Sequence, residues 1–387
     1  MSANLMAASS QWAKRPADER FWNLSDMRQS CESSRDGSAV ATVPFAKLSA
    51  VGVGEDVCLV GPEGRPAHFT HYAFGQLAAS AGAPAGYLRE LPASVAAQAL
   101  TASIERAAKL ERSDRSILFH KNGQLTARAI LSDRYDRVWD ADVVEMLEKL
   151  HGWRTPAGRT PPGYEGPTRI ATADDILPGQ INLREGSEIA PSGLYASDHD
   201  MFAFMVAPDR VVSDGAGGSL MRGIFVRNSE VGDAALSVTF FLMQAVCGNH
   251  IVWNATGVHE IRVRHIGEGT MARAFRGFEA ELRRYHDAAP EEEAKIVAAR
   301  NMVLGNSKDE VLSAILSYAK THSLPILSKG RVAEALTVAE EHTDWYGNPR
   351  ALWGVVAGLT QASQRTGFAD DRSAVDKAAG KLLEMAF

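Results

Sequence analysis

Cys247 and His250 close the segment Cys247-Gly248-Asn249-His250, so a thiol and an imidazole stand three residues apart. A nucleophilic cysteine needs its base near in space, which sequence proximity does not guarantee. Cys247 also ends a mostly apolar run, Asp233 to Val246, where a free cysteine is ordinarily a small core residue. A core role and a redox or nucleophilic role both stand at this point. Metal chemistry has less to offer. The eleven histidines form no HxxxH or HExxH pattern, and no CxxC pair occurs. His68 and His71 at i, i+3, and the cluster Asp198-His199-Asp200, lack a third ligand at useful spacing and read as surface polar residues. No metal is expected. No phosphate-binding glycine loop joins a strand to a helix, and Gly215-Ala216-Gly217-Gly218 reads as a mobile turn, so no cofactor is expected.

Polyanion binding has a stronger basis. From Thr101 to Arg137 eight basic residues face five acidic ones. A second segment carries Arg262, Arg264, His265, Arg273, Arg276, Arg283 and Arg284. In a chain of formal net charge -6, two such segments could build one local positive groove for phosphates. Arg115, Lys121, Arg128, Arg134, Arg137, Arg262 and Arg264 are the candidate contacts, with Tyr135 and Trp139 as stacking faces. The plain account is a solvated surface with pairs such as Glu105 and Lys109 along a helix.

A third polar patch is Arg227-Asn228-Ser229-Glu230-Val231-Gly232. Asn and Ser side chains satisfy backbone groups where a chain bends, which gives Asn228, Ser229, Glu230, Cys247 and Asn249 a structural role. The sharper account is a polar site on the sheet that contacts a ligand.

These residues need elements to position them. Ala39 to Val43 and Val57 to Val60 read as strands, and Gly61-Pro62-Glu63-Gly64 as a turn. Thr70 stands as the N-cap of a helix carrying Tyr72, Phe74, Leu77 and Ala78, and a second helix spans Ser94 to Leu110. Asn122-Gly123 between Ser116–Lys121 and Gln124–Leu131 is a hairpin signal, because both turn residues tolerate positive φ. Asp140 then caps a helix bearing Val143, Val144, Leu147 and Leu150. Residues 151–167 read as a long loop. Strands resume at Met201–Val206, Gly223–Val226, Leu236–Val246 and Ile261–Arg264. From Met271 the pattern is helical, with stripes such as Leu352, Trp353, Val356 and Leu359.

The expected class is α+β: an antiparallel β-sheet core with flanking helices and a helical C-terminal part. At 387 residues the chain exceeds one ordinary core, and the expected division is a flexible arm over 1–36, an α+β core over 37–270 and helices over 271–387. Within the arm, Phe21 to Leu24 form the expected anchor. No apolar run is long enough to span a bilayer and no basic-then-apolar leader opens the chain, so no membrane partner is expected. Three scattered cysteines fit a reducing cytoplasm.

Ala129-Ile130-Leu131-Ser132-Asp133-Arg134-Tyr135, then Asn228-Ser229-Glu230-Val231-Gly232, then Cys247-Gly248-Asn249-His250, follow the order of one family, and Gly82 to Leu88 is similar to its turn into a helix. The chain resembles the domain of unknown function 932 family, also called phage/plasmid-like proteins, over roughly residues 70–265, with a looser match from about 345 to 385. It departs from the family where an Asn-Gly pair ordinarily follows the cysteine. The resemblance implies a mobile-element context and no catalytic residues. The expected function is that of a cytoplasmic, non-enzymatic protein that binds or anneals single-stranded DNA in replication or recombination, with self-association as a further expectation. The alternatives are an enzyme with a small-molecule site around Asn228, Glu230 and His250, and a protein-binding modulator of host defence.

Overall fold

In the computed structural model, residues 15–110, 113–121, 123–160, 164–178, 183–216, 218–244, 250–252, 260–267, 269–287, 289–363 and 369–386 are described. The class is α+β. The first sheet has six strands in the order β1-β5-β6-β4-β3-β2: β1 (Ser38–Pro44), β2 (Ser49–Val53), β3 (Asp56–Val60), β4 (Pro66–Phe69), β5 (Asp114–His120) and β6 (Thr126–Ser132). All pairs are antiparallel except β4 with β6. The parallel pair arises because three helices and β5 intervene before β6 returns beside β4. Gly123, at φ +78°, lies in the expected β5–β6 turn, while Asn122 falls outside the described residues.

The helices from β4 to β5 cover one face of this sheet. They are α2 (His71–Ser80), α3 (Ala85–Leu88) and α4 (Ala93–Leu110). The Thr70 side chain accepts the Ala73 N–H at 3.2 Å, as its position as N-cap predicts. Phe74, Leu77, Leu100 and Ile104 close the first core against Leu59, Ile117 and Ile130.

The second sheet runs β10-β11-β12-β13-β14, with β15 also pairing β13. Its members are β10 (Leu194–Ala196), β11 (Met201–Ser213), β12 (Ser219–Asn228), β13 (Leu236–Gln244), β14 (His250–Val252) and β15 (Glu260–Val263). Met201, Ala203 and Met205 alternate into the main core, and Phe202, Phe204 and Val206 into a satellite on the opposite face. The C-terminal helices share that main core with the sheet. They begin with α6 (Thr270–Asp287) and α7 (Ala289–Asn301) and include α11 (Leu352–Ser363). The buried pair Arg222–Glu292 (2.5 Å) and the half-buried Arg300 with Asp214 (2.7 Å) fasten α7 to the sheet. Asp214 Oδ1 also accepts the Ala216 and Gly218 N–H groups, so the turn expected to be mobile is bonded from within.

Two expectations change. Residues 24–36, assigned to a fraying arm, form helix α1 (Leu24–Asp36), whose Met27 and Cys31 are buried in the main core. Asn23 caps it, accepting the Asp26 N–H at 2.8 Å, and that polar start was legible only as an anchor. The expected loop at 151–167 contributes β7 (Gly158–Arg159) to a small sheet with β8 (Arg169–Ile170) and β9 (Glu188–Ala190). Two-residue strands leave too little periodicity to read. Among the described residues, no helix is long and apolar enough to cross a membrane.

Candidate functional site

The two sheets meet where β12 ends. Leu220, Ile224 and Val226 point into the main core, and the same alternation carries Asn228 into full burial. Ser229 and Glu230 follow it inside. Gly232 then turns the chain at φ +80°, with Leu131 of β6 against it, so a side chain there would be strained and crowded. Helix α5 (Asp140–Glu148) starts opposite this corner.

Asn228 Nδ2 donates to the Val138 carbonyl at 3.0 Å and to Asp140 Oδ1 at 2.7 Å. Glu230 Oε1 accepts the Asp140 N–H at 3.0 Å. A carboxylate thus sits on the N-terminus of α5, where unpaired N–H groups and the helix dipole favour negative charge. Asp140 was expected to cap this helix. Trp139 holds the cap position without a side-chain bond, and the carboxylate comes from Glu230 instead. Burial, and then the Glu230 charge, push the Asp140 carboxyl well above its ordinary range, against the Asn228 bond and the Arg128 charge.

Arg128 is the hub. Its guanidinium pairs with Glu230 Oε2 at 3.2 Å, both side chains being buried. It donates to the Asp198 carbonyl from Nε at 3.2 Å and from Nη2 at 2.5 Å. Nη1 reaches Ser34 Oγ at 3.3 Å and Ser38 Oγ at 3.4 Å. One residue of β6 therefore joins α1, β1, the 198 loop and the end of β12. Gln76 of α2 adds a second stitch, donating to the Val231 carbonyl at 2.7 Å and accepting the Ile130 N–H at 2.8 Å.

A neutral chain runs beside this hub. His265 Nε2 accepts the Leu236 N–H at 3.1 Å, so the neutral ring carries its proton on Nδ1 and donates it to Tyr135 Oη. The tyrosine hydroxyl in turn donates to the Ser229 carbonyl at 3.0 Å. Burial, and then the Arg137 charge, lower the His265 pKa to about 4, which suits a ring that must accept. Arg137 donates to the Glu230 carbonyl and lies 5.4 Å over the Tyr135 ring and 5.8 Å over Trp139.

The loop Ser197 to Asp200 closes the junction from the other side. Ser229 Oγ donates to the His199 carbonyl at 2.6 Å, and the His199 ring stacks on Tyr72 of α2 at 5.1 Å. Asp200 is fully buried and accepts from Arg15 at 2.6 Å and Ser197 Oγ at 2.7 Å. Burial alone would lower the His199 pKa, but the bond to Asp198 and the Asp200 charge raise it. This cluster, read as surface polar residues, is in part a buried interface.

The expected basic groove divides. Arg128 and Arg137 lie in the junction, and the two stacking faces expected for bases are occupied by Arg137. Arg115 is buried on β5, its guanidinium 4.5 Å over the Phe45 ring and bonded to Ser113 and the Asp114 carbonyl. Lys121, Arg134, Arg262 and Arg264 are exposed. Arg262 and Arg264 alternate with Ile261, Val263 and His265, which face inward. The neighbouring turn crosses them: Tyr135 bridges to Ile266, and the Gly267 N–H donates to the Arg134 carbonyl at 3.2 Å. Arg273 of α6 reaches back to the Ile266 carbonyl at 2.9 Å. Arg134, Arg262 and Arg264 thus share one ribbon with Ile266, itself 58% exposed, and none of the three forms an ion pair among the described residues. Cys247 and Asn249 lie outside the described residues; His250 begins β14.

The junction can hold segments together, because Arg128 with Glu230 and Arg15 with Asp200 are buried ion pairs. It leaves a few buried atoms without a protein partner, among them Asn228 Oδ1, Asp200 Oδ2, and Arg137 Nε and Nη2. Sequence reasoning missed Gln76, and it placed Asp140, His199 and His265 only as a cap, a surface cluster and part of a basic segment, because their partners in the junction lie far along the chain. Residues 175–382, which include the corner, match the model of the domain of unknown function (DUF932) family. The chain belongs to that family. The segments Gly82–Leu88 and Ala129–Tyr135, through which it also resembles the family, lie N-terminal to the matched range. No curated protein and no solved structure matches the chain.

Proposed function

We propose that this protein binds single-stranded DNA through the exposed ribbon of Arg134, Arg262 and Arg264, with Arg273 at its flank. The observation that carries this reading is the placement of three solvent-facing guanidinium groups on one ribbon, with no ion pairs among the described residues, in a chain of net charge -6. Guanidinium groups left to water are the ones that phosphates can engage, and released counterions supply the affinity. The exposed Ile266 offers an apolar contact between them. Binding of this kind is indifferent to sequence and suits a protein that coats or anneals strands for a mobile element, without performing a reaction.

Fluorescence anisotropy with a long labelled single-stranded oligonucleotide tests the reading. Affinity should fall steeply with salt, with a log–log slope of about 0.7 per phosphate contact. The triple variant R134E/R262E/R264E should lose most of the affinity and flatten the slope. Absence of binding at low salt removes the proposal.

A further inference from the structure

The face of the first sheet that α2 and α4 cover is not covered throughout. The β5–β6 register shifts at Leu118 and Phe119, where Arg128 of β6 has no partner and forms a β-bulge in that strand. Beside it, β1, β3, β4, β5 and the β3–β4 turn line a trough of about 560 Å³. Leu59 and Ile117, both 1% exposed, form its floor and belong to the first core. Ala41, Phe119 and Leu125 form its half-buried walls. The volume lies within the range of small-ligand sites, which are mostly apolar with a few polar groups at fixed places.

Its mouth is polar and unbalanced. Arg65 and Lys121 stand there with a single carboxylate, Glu63, and all three are exposed. Neither cation forms an ion pair among the described residues, although the chain as a whole is acidic. An apolar trough under two free cations is complementary to a ligand with an apolar body and an anionic head. We propose that this trough is a binding site for a small amphipathic anion of the acyl carboxylate class, its chain on Leu59, Ile117 and Phe119 and its carboxylate between Arg65 and Lys121. The site lies apart from the arginine ribbon and does not depend on the DNA-binding reading.

Isothermal titration of the full chain with octanoate and with octylammonium, which share a tail and differ in head charge, tests it. The protein should bind octanoate at least about tenfold more tightly than octylammonium. Arg65→Glu with Lys121→Glu should reverse that order. Ala41→Trp, and separately Leu125→Trp, should fill the trough and abolish octanoate binding, with circular dichroism reporting whether each has folded. No octanoate binding, equal affinity for the two heads, or octanoate affinity surviving in a folded tryptophan variant would overturn the proposal. The charge reversal involves only two exposed side chains, so that arm decides even if neither tryptophan variant folds.

Discussion

Arg128 and Arg134 are six residues apart, yet they do opposite work. Arg128 is enclosed with Glu230 and ties four segments together, whereas Arg134 projects into solvent beside Arg262 and Arg264. The same side chain is therefore enclosed among partners in one region and left to water in the other. What separates them is their partners. A buried guanidinium must be paired, because removing one partner leaves an uncompensated charge in a poor solvent for it. An exposed one loses little by standing alone, and surface pairs are worth little in any case.

That contrast can be broken most severely at Glu230. Glu230→Ala strands Arg128 and uncaps α5, and should cost about 3–5 kcal/mol in urea unfolding. Glu230→Gln keeps an acceptor for the Asp140 N–H and should cost less. Equal stability of Glu230→Ala and the wild type would mean that the junction does not hold the sheets together.

The next effect depends on pH. The folded-state pKa of His265, about 4, lies below its ordinary value near 6.5, so the fold prefers the neutral ring. Its contribution is complete above the unfolded value and is lost as pH falls from about 6.5 towards 4. The loss should reach on the order of 3 kcal/mol. Subtracting the stability–pH curve of His265→Gln from that of the wild type isolates it from the carboxylates. A flat difference curve would contradict the assigned tautomer and its bonds to Leu236 and Tyr135.

Asn228→Ala should cost on the order of 1–3 kcal/mol, because it removes the bonds to Val138 and Asp140. A change within experimental scatter would return Asn228 to an incidental role. The smallest stability effect belongs to the other region: Arg134→Glu, Arg262→Glu and Arg264→Glu should each shift stability by no more than about 0.5 kcal/mol. A large loss from any of them would show that the ribbon is structural as well.

Much of the fold was legible because it is written in local patterns. Thr70 before an apolar helix, and the apolar run Met201–Val206, each encode their own element. Asn228 and Ser229 were legible as residues that satisfy backbone groups at a strand end. The partners were not. Asn228 meets Asp140, Glu230 meets Arg128, and His199 meets Tyr72, all across long sequence separations that periodicity does not report. Charge counting failed for a related reason. Eight basic residues between Thr101 and Arg137 gave one positive segment on paper. Arg115 and Arg128 are buried, Arg128 at the bulge of β6, while Lys121 and Arg134 face solvent. The helix at 24–36 was hidden because its sequence is mostly polar and only Met27 and Cys31 report its buried side.

The division of labour among the arginines is tested most directly by one titration series. Single-stranded DNA binding by the wild type and by R134E/R262E/R264E is followed by anisotropy across a range of salt concentrations, with unfolding curves recorded on the same samples. The account predicts tight, salt-sensitive binding by the wild type, and loss of both affinity and salt slope in the variant with stability unchanged. Unchanged DNA affinity in the stable variant, or no binding by the wild type at low salt, would contradict it.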